Sequence, residues 1–155
     1  MSKILCPTRG GEESHANQDK AIEIAADRND EILFLYVSNI NFLLSLRSPM
    51  MVKNIQNDLD DMGEFLLTIA QERAEAKQVK ADISLKQGAF YTALSEVIKE
   101  RHIETLFLGS SDEQKGYTDE GYMTDLVKKL RADFENLEII ISFEGEIVQH
   151  VGKDG

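Results

Sequence analysis

Short apolar runs that alternate with helical patterns are the feature of this sequence that most limits its fold. The run Ile32 to Val37 is almost uninterrupted in apolar character, as expected of a strand that is covered on both faces inside a parallel sheet. Lys3 to Thr8, Thr105 to Leu108 and Leu137 to Ile141 are shorter runs of the same kind. Segments with apolar residues at helical spacing lie between them. This alternation predicts an α/β protein.

A further strand, Val79 to Lys86, alternates strictly between apolar and polar residues. A solvent-exposed face and two lysines are typical of a strand at a sheet edge. Five strands and four helices joined by right-handed crossovers predict a five-stranded parallel, doubly wound sheet of order 3-2-1-4-5. Strands 1 and 4 are then neighbours at the topological switch. The glycine loops after them, Arg9 to Gly11 and Gly109 to Gly121, should face one crevice where ligands bind.

The stretch Phe107 to Thr124 reads as a strand, a glycine-containing loop and the start of a helix. Backbone N–H groups at such a junction and the positive end of the helix dipole together favour an anion, usually a phosphate. Glycines at strand-to-helix turns also serve the turn alone. The spacing alone does not decide between an anion site and a simple turn.

The segment Asn39 to Met51 is too apolar for an uncovered loop, and we expect a lid, an interface or a short core helix there. A helix follows whose apolar residues are spaced 3, 4, 3, 4 and 3 apart: Val52, Ile55, Leu59, Met62, Leu66 and Ile69. This spacing resembles a coiled-coil seam, but it covers under three heptads. Packing of the stripe along the sheet is therefore the preferred interpretation.

Length and charge narrow the function classes. The 155 residues fit one domain, and the net charge of -11 disfavours binding to nucleic acid or to an anionic membrane. No apolar run has the ~20 residues of a membrane span, and the N-terminus lacks the apolar stretch of a signal peptide, so we expect a cytoplasmic protein. Cys6, in the first strand, is expected to be a small buried side chain.

We place the boundary between the folded domain and a C-terminal tail after Phe143. Residues 1–143 form the domain and residues 144–155 a loose C-terminal tail, although Ile147, Val148 and Val151 could dock on a dimer. The last predicted strand, Leu137 to Ile141, is apolar enough that an uncovered edge would invite association. We therefore predict a homodimer in which a second subunit covers this strand.

Several segments in this order resemble the universal stress protein family. They are Ile4 to Ser14, Phe34 to Val37, Gly88 before its helix, Thr105 to Ser110 and Gly121 to Thr124, and the resemblance covers residues 2–143. It implies a Rossmann-like fold of the adenine nucleotide alpha hydrolase-like type, frequent dimerisation through the last strand, a role in the stress response and, in one branch, ATP at the switch point.

The resemblance also implies a set of cofactor-binding residues at the ends of strands 1, 2 and 4 and at the start of the last helix. They are Pro7, Thr8, Arg9, Val37, Leu108, Gly109, Ser110, Asp112, Gly121, Tyr122, Met123 and Thr124. The expected cofactor is ATP or another adenine nucleotide. No catalytic or metal-binding residue is assigned.

The match to the ATP-binding branch is partial. Gly109 occupies the first glycine position of its phosphate loop, but Asp112 stands at the second and Gly121 comes one residue early for the third. Tyr122 replaces the small hydroxyl residue after it, and Arg9 replaces the aspartate that usually ends strand 1. Like charges near a surface repel by about 1 to 4 kcal/mol, so Asp112 alone would weaken the binding of a triphosphate ten-fold or more.

The two charged replacements would face each other across the crevice. An ion pair between Arg9 and Asp112 would narrow the nucleotide groove. In a second interpretation Arg9 offers its donors to an anion held by the amides of residues 10–14. In a third it is solvated and paired with Glu12 or Glu13.

Catalysis has little support in the sequence, which contains no nucleophile elbow and no Walker lysine motif. His15 lies beside Ser14 near the crevice but is expected to be surface decoration, His102 to close a helix, and His150 to be exposed. Residues 9–14 are similar to the Ser-Gly-Gly-x-Asp-Ser loop of ATP pyrophosphatases, with Arg9 in place of the leading serine. Three functions remain: a nucleotide-sensing module, a dimeric scaffold without nucleotide, and a small ATP pyrophosphatase-like enzyme.

Overall fold

A computed structural model describes residues 2–8, 12–38, 48–110 and 120–152, with the side chains of residues 12–14, 49, 110 and 120–123 outside that description. Strands and helices alternate along the chain, as the sequence predicts. The elements are β1 (Lys3–Pro7), α1 (Glu12–Arg28), β2 (Glu31–Ser38), α2 (Pro49–Ala76), β3 (Ala81–Gln87), α3 (Phe90–Arg101), β4 (Thr105–Ser110), α4 (Glu120–Asp133), β5 (Glu138–Phe143) and β6 (Glu146–Val151).

The sheet has the order β3-β2-β1-β4-β5-β6. Its first five strands pair in parallel, so the predicted order 3-2-1-4-5 is confirmed. The alternating strand β3 lies at one edge, also as predicted. Because all five parallel strands point the same way, their carboxyl ends share one edge of the sheet, which we call the carboxyl edge. Their starts form the amino edge.

The sixth strand corrects the prediction of a loose tail. Residues Glu146–Val151 pair antiparallel with β5. Glu144 and Gly145 join the two strands with φ values of 52° and 86°, and two consecutive residues with positive φ suit a two-residue hairpin. The edge of β5 is covered by the same chain. The reason for placing a second subunit on that edge is therefore wrong, because no free edge is left there.

The core is divided between the two faces of the sheet. On one face α3 and α4 cover β4, β5 and part of β2, with Leu94 and Leu130 fully buried. On the other face α1 and α2 cover residues of β1 and β2 that include Ile4 and Phe34. Cys6 lies in this second layer as predicted, and its burial raises the pKa of the thiol to about 12.

Helix α2 begins earlier than expected and packs through a different side. Ser48 caps it, since its Oγ accepts from the N–H of Met51 at 3.2 Å, and a proline occupies the first turn. The residues buried against the sheet are Gly63, Leu67, Ala70 and Ala74. The predicted stripe from Val52 to Ile69 is not buried at any of its six positions. Five of the six are half-buried and Met62 is exposed, and the predicted packing against the core is confirmed for Leu66 alone.

Gly63 explains why α2 packs through this side. A Cβ on Gly63 would lie 2.5 Å from the ring of Tyr36, so only glycine lets this side of α2 come down onto β2. Among the described helices, none is long and apolar enough to cross a membrane.

Candidate functional site

The sheet opens between β1 and β4 at its carboxyl edge. The ladder between these strands pairs Ile4 with Thr105 and Leu5 with Leu106. Both strands continue beyond it, β1 to Pro7 and β4 to Ser110, and each stays paired with its outer neighbour. Pro7 adds no donor, because proline lacks an N–H. The two strands therefore part at the topological switch, where α/β sheets bind ligands.

Predicted site residues on the strands are brought together around this opening. Pro7 and Thr8 end the β1 segment, Val37 lies near the end of β2, and Leu108 and Gly109 lie near the end of β4. The N–H of Thr8 donates to the carbonyl of Leu35 at 2.8 Å, which continues the pairing of β1 with β2. Val37 is half-buried and packs against the core.

Gly109 has a packing role that the sequence did not reveal. A Cβ at this position would lie 2.6 Å from Nδ2 of Asn17 on α1. Asn17 is buried, and its Oδ1 accepts from Oγ of Ser142 at 2.5 Å and from the N–H of Gly145 at 3.1 Å. One amide side chain thus ties α1 to β5 and to the β5–β6 hairpin, and glycine at 109 leaves room for it.

The start of α4 lies next in the chain after the loop that follows β4. Gly121, Tyr122, Met123 and Thr124 all belong to the first turns of this helix. The predicted strand and helix are thus confirmed as β4 and α4, while residues 111–119 between them lie outside the described part of the chain. The side chain of Thr124 is exposed. A helix N-terminus carries about half a positive charge, which favours an anion there.

Two predicted site residues lie outside the described part of the chain. They are Arg9 and Asp112, so their proposed ion pair and the alternatives for Arg9 stay predictions. Ser110 is the last residue of β4 and pairs with Phe143 through the backbone, but its side chain is not described. Of the segment Asn39 to Met51, predicted as a lid, an interface or a short core helix, residues 39–47 also lie outside. Its last residues begin α2, where Met50 and Met51 are exposed.

A polar network at the ends of β2 and β3 was missed by the sequence reasoning. Oδ1 of Asp60 accepts from Oγ of Ser38 at 3.1 Å and from Nε2 of Gln56 at 2.9 Å, and Oδ2 accepts from Nε2 of Gln87 at 2.8 Å. Gln56 also donates to Ser38 at 2.7 Å. Gln56 and Asp60 are four residues apart and so share a side of α2, but only the structure identifies that side as the one that faces the sheet. The network fixes α2 to the carboxyl edge.

A second network reaches the crevice from α1. Oγ1 of Thr8 accepts from Nε2 of Gln18, and both residues are buried. Oε1 of Gln18 in turn accepts from Arg73 of α2 at 2.7 Å, and Arg73 is also paired with Asp19. The carbonyl of His15 accepts from the same guanidinium at 3.4 Å, while the His15 side chain is exposed as predicted.

The opposite, amino edge of the sheet is closed by a charged cluster. Glu138, at the start of β5, has a side chain only 1% exposed. It accepts from Arg28 at 2.6 and 2.9 Å and from Oγ1 of Thr105 at 2.8 Å, and it contacts Nε2 of His150 at 2.6 Å. Burial alone would raise the pKa of this carboxyl, but the hydrogen bonds from Arg28, Thr105 and His150 lower it to about 2.

Two histidine predictions have opposite outcomes. His150 is only partly exposed and pairs with Glu138, so its expected place in an exposed tail is wrong. The reason is the unexpected strand β6, which carries it to the amino edge. His102 ends α3 in a left-handed conformation, with φ of 54°, and is exposed. Its predicted position at a helix end is confirmed.

The described residues offer no cluster of three or more His, Cys, Asp or Glu side chains suited to a metal ion. A surface groove of about 630 Å³ lies elsewhere, between α1 and α2, and its lining includes Ile22, Asp27, Ala76 and Lys77. It is separate from the β1–β4 opening, because none of its lining residues comes from a strand.

Comparison with known proteins agrees with this architecture. Residues 1–118 match the profile of the universal stress protein family. A universal stress protein family member from Burkholderia pseudomallei has a similar structure, with a TM-score of 0.70, 17% identity and coverage of 91% of this chain and 95% of that chain. No curated protein matches the sequence.

Two further similar structures contain nucleotides. A universal stress protein in complex with cAMP has a TM-score of 0.65 and 17% identity, and the match covers 92% of this chain and 97% of that chain. An Arabidopsis thaliana universal stress protein family protein with AMP bound has a TM-score of 0.61 and 12% identity, covering 91% of this chain and 90% of that one.

The element order and the parallel sheet thus define an α/β protein of Rossmann-like type. Because the family profile spans most of its length, the chain belongs to the universal stress protein family.

Proposed function

We propose that this chain is a cytoplasmic, non-catalytic module that senses an adenine nucleotide in the opening between β1 and β4. The observation that carries this proposal is the early end of the β1–β4 ladder, at Leu5 and Leu106, while both strands continue. The opening lies at the switch point, and the glycine of β4 and the N-terminus of α4 follow it in the chain.

Similar structures support the choice of ligand class. A structural neighbour is complexed with cAMP and another has AMP bound. Both nucleotides share an adenine and a single phosphate. Val37, half-buried near the end of β2, would offer an apolar contact to the base.

The sequence favours nucleotides with few phosphates over ATP. Asp112 replaces a glycine of the family's triphosphate loop, and the whole chain carries a net charge of -11. Each further phosphate adds negative charge and therefore repulsion. We expect AMP or cAMP to bind more tightly than ATP, with Arg9 as a source of compensating charge.

The contacts of the Thr8 hydroxyl, at the end of the β1 segment, support a non-catalytic role. Thr8 Oγ1 accepts a hydrogen bond from the amide of Gln18. Activation of a hydroxyl nucleophile would need a general base in that position. The amide positions the threonine and does not take its proton.

A dimeric scaffold without nucleotide is the second candidate. It is favoured by the contact of Gly109 with Asn17, because packing alone already accounts for this glycine. A homodimer through the last strand would now use β6, the strand at that end of the sheet. Ile147 and Val148 on β6 are exposed and would be available to it.

Isothermal titration with AMP, cAMP and ATP tests the nucleotide proposal. We expect binding heat for AMP and cAMP, and about ten-fold weaker binding of AMP by Thr124→Glu, which adds a negative charge in the first turn of α4. Ala132→Glu, an exposed position near the other end of α4, adds the same charge as a matched control and should leave AMP binding unchanged. Absence of heat with all three nucleotides would favour the scaffold.

A further inference from the structure

Helix α2 carries an apolar side that the described part of the chain leaves uncovered. Met50, Met51, Met62 and Phe65 are exposed by 75, 49, 46 and 65%. Ile55, Leu66 and Ile69 are half-buried beside them. We call these seven residues the α2 band. It is separate from the opening between β1 and β4.

The band follows one side of the helix. Counted from Met51, the later members lie 4, 11, 14, 15 and 18 residues along the helix, each close to a whole number of 3.6-residue turns, so they share one side of α2. A different side of α2 contacts the sheet, and it carries Gly63, Leu67, Ala70 and Ala74. Apart from Leu66, which also packs against the core, the band is therefore not needed for the packing of α2 on its own sheet.

Part of the band projects beyond the sheet. Gln56 and Asp60 contact Ser38, the last residue of β2, so they mark the height of the carboxyl edge. The helix starts at Pro49. Its first seven residues thus extend about 10 Å past that edge, at 1.5 Å per residue. Met50 and Met51 are on this projecting part.

Acidic residues lie within the band and beside it. Asp58, Asp61, Glu64 and Glu72 are exposed on α2, and among the described residues none of them forms an ion pair. Lys53 is the only cation between residues 50 and 72. A second copy of α2 would bring like charges together, which costs free energy at an interface. A cationic partner would relieve the same charges.

We propose that the α2 band is a docking surface for a basic amphipathic helix of another protein. The partner would place apolar residues at helical spacing on Met62 and Phe65 and its lysines or arginines over Asp58 and Asp61. Flexible methionines and an exposed aromatic ring suit such a helix, because methionine adapts to different apolar surfaces and aromatic residues dominate binding energies. A nucleotide-sensing module could use this surface to pass its state to a partner, although the proposal stands without that link.

A fluorescein-labelled 18-residue peptide of leucine and lysine in an amphipathic helical pattern is the probe. Fluorescence anisotropy should show binding that weakens with salt, and no binding of the same pattern with glutamate in place of lysine. Phe65→Ala and Met62→Ala should each weaken binding about ten-fold. Val148→Ala, an equally exposed apolar residue on β6, is the control and should change nothing.

The double substitution Asp58→Lys with Asp61→Lys tests whether the acidic residues of α2 attract the basic peptide. This pair should weaken the peptide about ten-fold or more, whereas Glu104→Lys with Glu135→Lys, the same change of net charge at exposed positions outside α2, should weaken it far less. Equal effects of the two pairs would mean non-specific attraction to an acidic protein and would overturn the proposal.

Sedimentation of the unmodified chain tests whether the band instead binds a second copy. A dimer abolished by Phe65→Ala would show that a second copy occupies the band, which also contradicts it.

Discussion

The two ends of the same parallel strands differ in how the chain itself holds neighbouring strands together. At the amino edge, Glu138 is buried and held by Arg28, Thr105 and His150. At the carboxyl edge, β1 and β4 stop pairing after Leu5 and Leu106. One end is closed by ionic and hydrogen-bonded contacts, and the other is open where ligands of this fold class bind.

This difference predicts that substitutions at the amino edge mainly change stability, whereas substitutions at the opening mainly change ligand binding. Glu138 joins α1, β4 and β6 through single side chains, so its loss should affect the folding of the whole sheet. Residues at the opening, such as Thr8 and Gly109, make fewer contacts of this kind and are held by α1 through Gln18 and Asn17. Changes there should therefore affect ligand binding more than changes at the amino edge do.

Glu138→Ala should have the largest effect on stability. It leaves Arg28 and His150, each about one-third exposed, without their carboxylate, and we expect a loss of about 3 kcal/mol in the free energy of unfolding. Urea unfolding at neutral pH measures it. Glu104→Ala, an exposed acid near the same edge, is the control and should change stability by no more than about 0.5 kcal/mol. Equal losses in both variants would mean that the amino edge is not closed by Glu138.

The pH dependence of the same site should be somewhat smaller. Because the pKa of Glu138 is lowered from 4.5 to about 2 in the folded protein, its stabilisation is complete above about pH 4.5 and is lost as the pH falls towards 2. The stability gap between the wild type and Glu138→Gln should narrow by about 2 kcal/mol between pH 6 and pH 3. Urea unfolding at several pH values tests this. A gap that stays constant would contradict the lowered pKa.

Gly109→Ala should have the smallest of these effects. Its new Cβ would lie 2.6 Å from Asn17 Nδ2, and overpacking of this kind costs about 1 to 2 kcal/mol. The same substitution in an Asn17→Ala background should cost less than about 0.5 kcal/mol, because the clash is gone. Additive costs in this double-mutant cycle would show that Asn17 is not the reason for the glycine.

The sequence predicts the parallel sheet well because its signal is local. Apolar runs such as Ile32 to Val37 and Thr105 to Leu108 have few alternatives to a buried strand. Strand β6 lacks such a run, because its apolar pair Ile147 and Val148 is preceded by Glu146 and followed by Gln149 and His150. The one local clue was Glu144–Gly145, two residues that form the hairpin turn.

The site was less predictable because its contacts join distant parts of the chain. Nothing near Gly109 in the sequence indicates Asn17, and nothing near Glu138 indicates Arg28. The stripe on α2 shows the same limit, since helical spacing identifies an apolar side but does not tell which side meets the sheet. Gly63, which admits the ring of Tyr36, decides that question only in three dimensions.

The most direct test of the open end is a titration of the ¹⁵N-labelled chain with AMP, followed by amide chemical shifts. Binding in the opening should shift the amides of Thr8, Val37, Gly109 and Thr124 and leave those of Glu138 and His150 at the amino edge unchanged. No shifts at saturating AMP, or shifts centred on Glu138 and His150, would contradict a nucleotide site between β1 and β4.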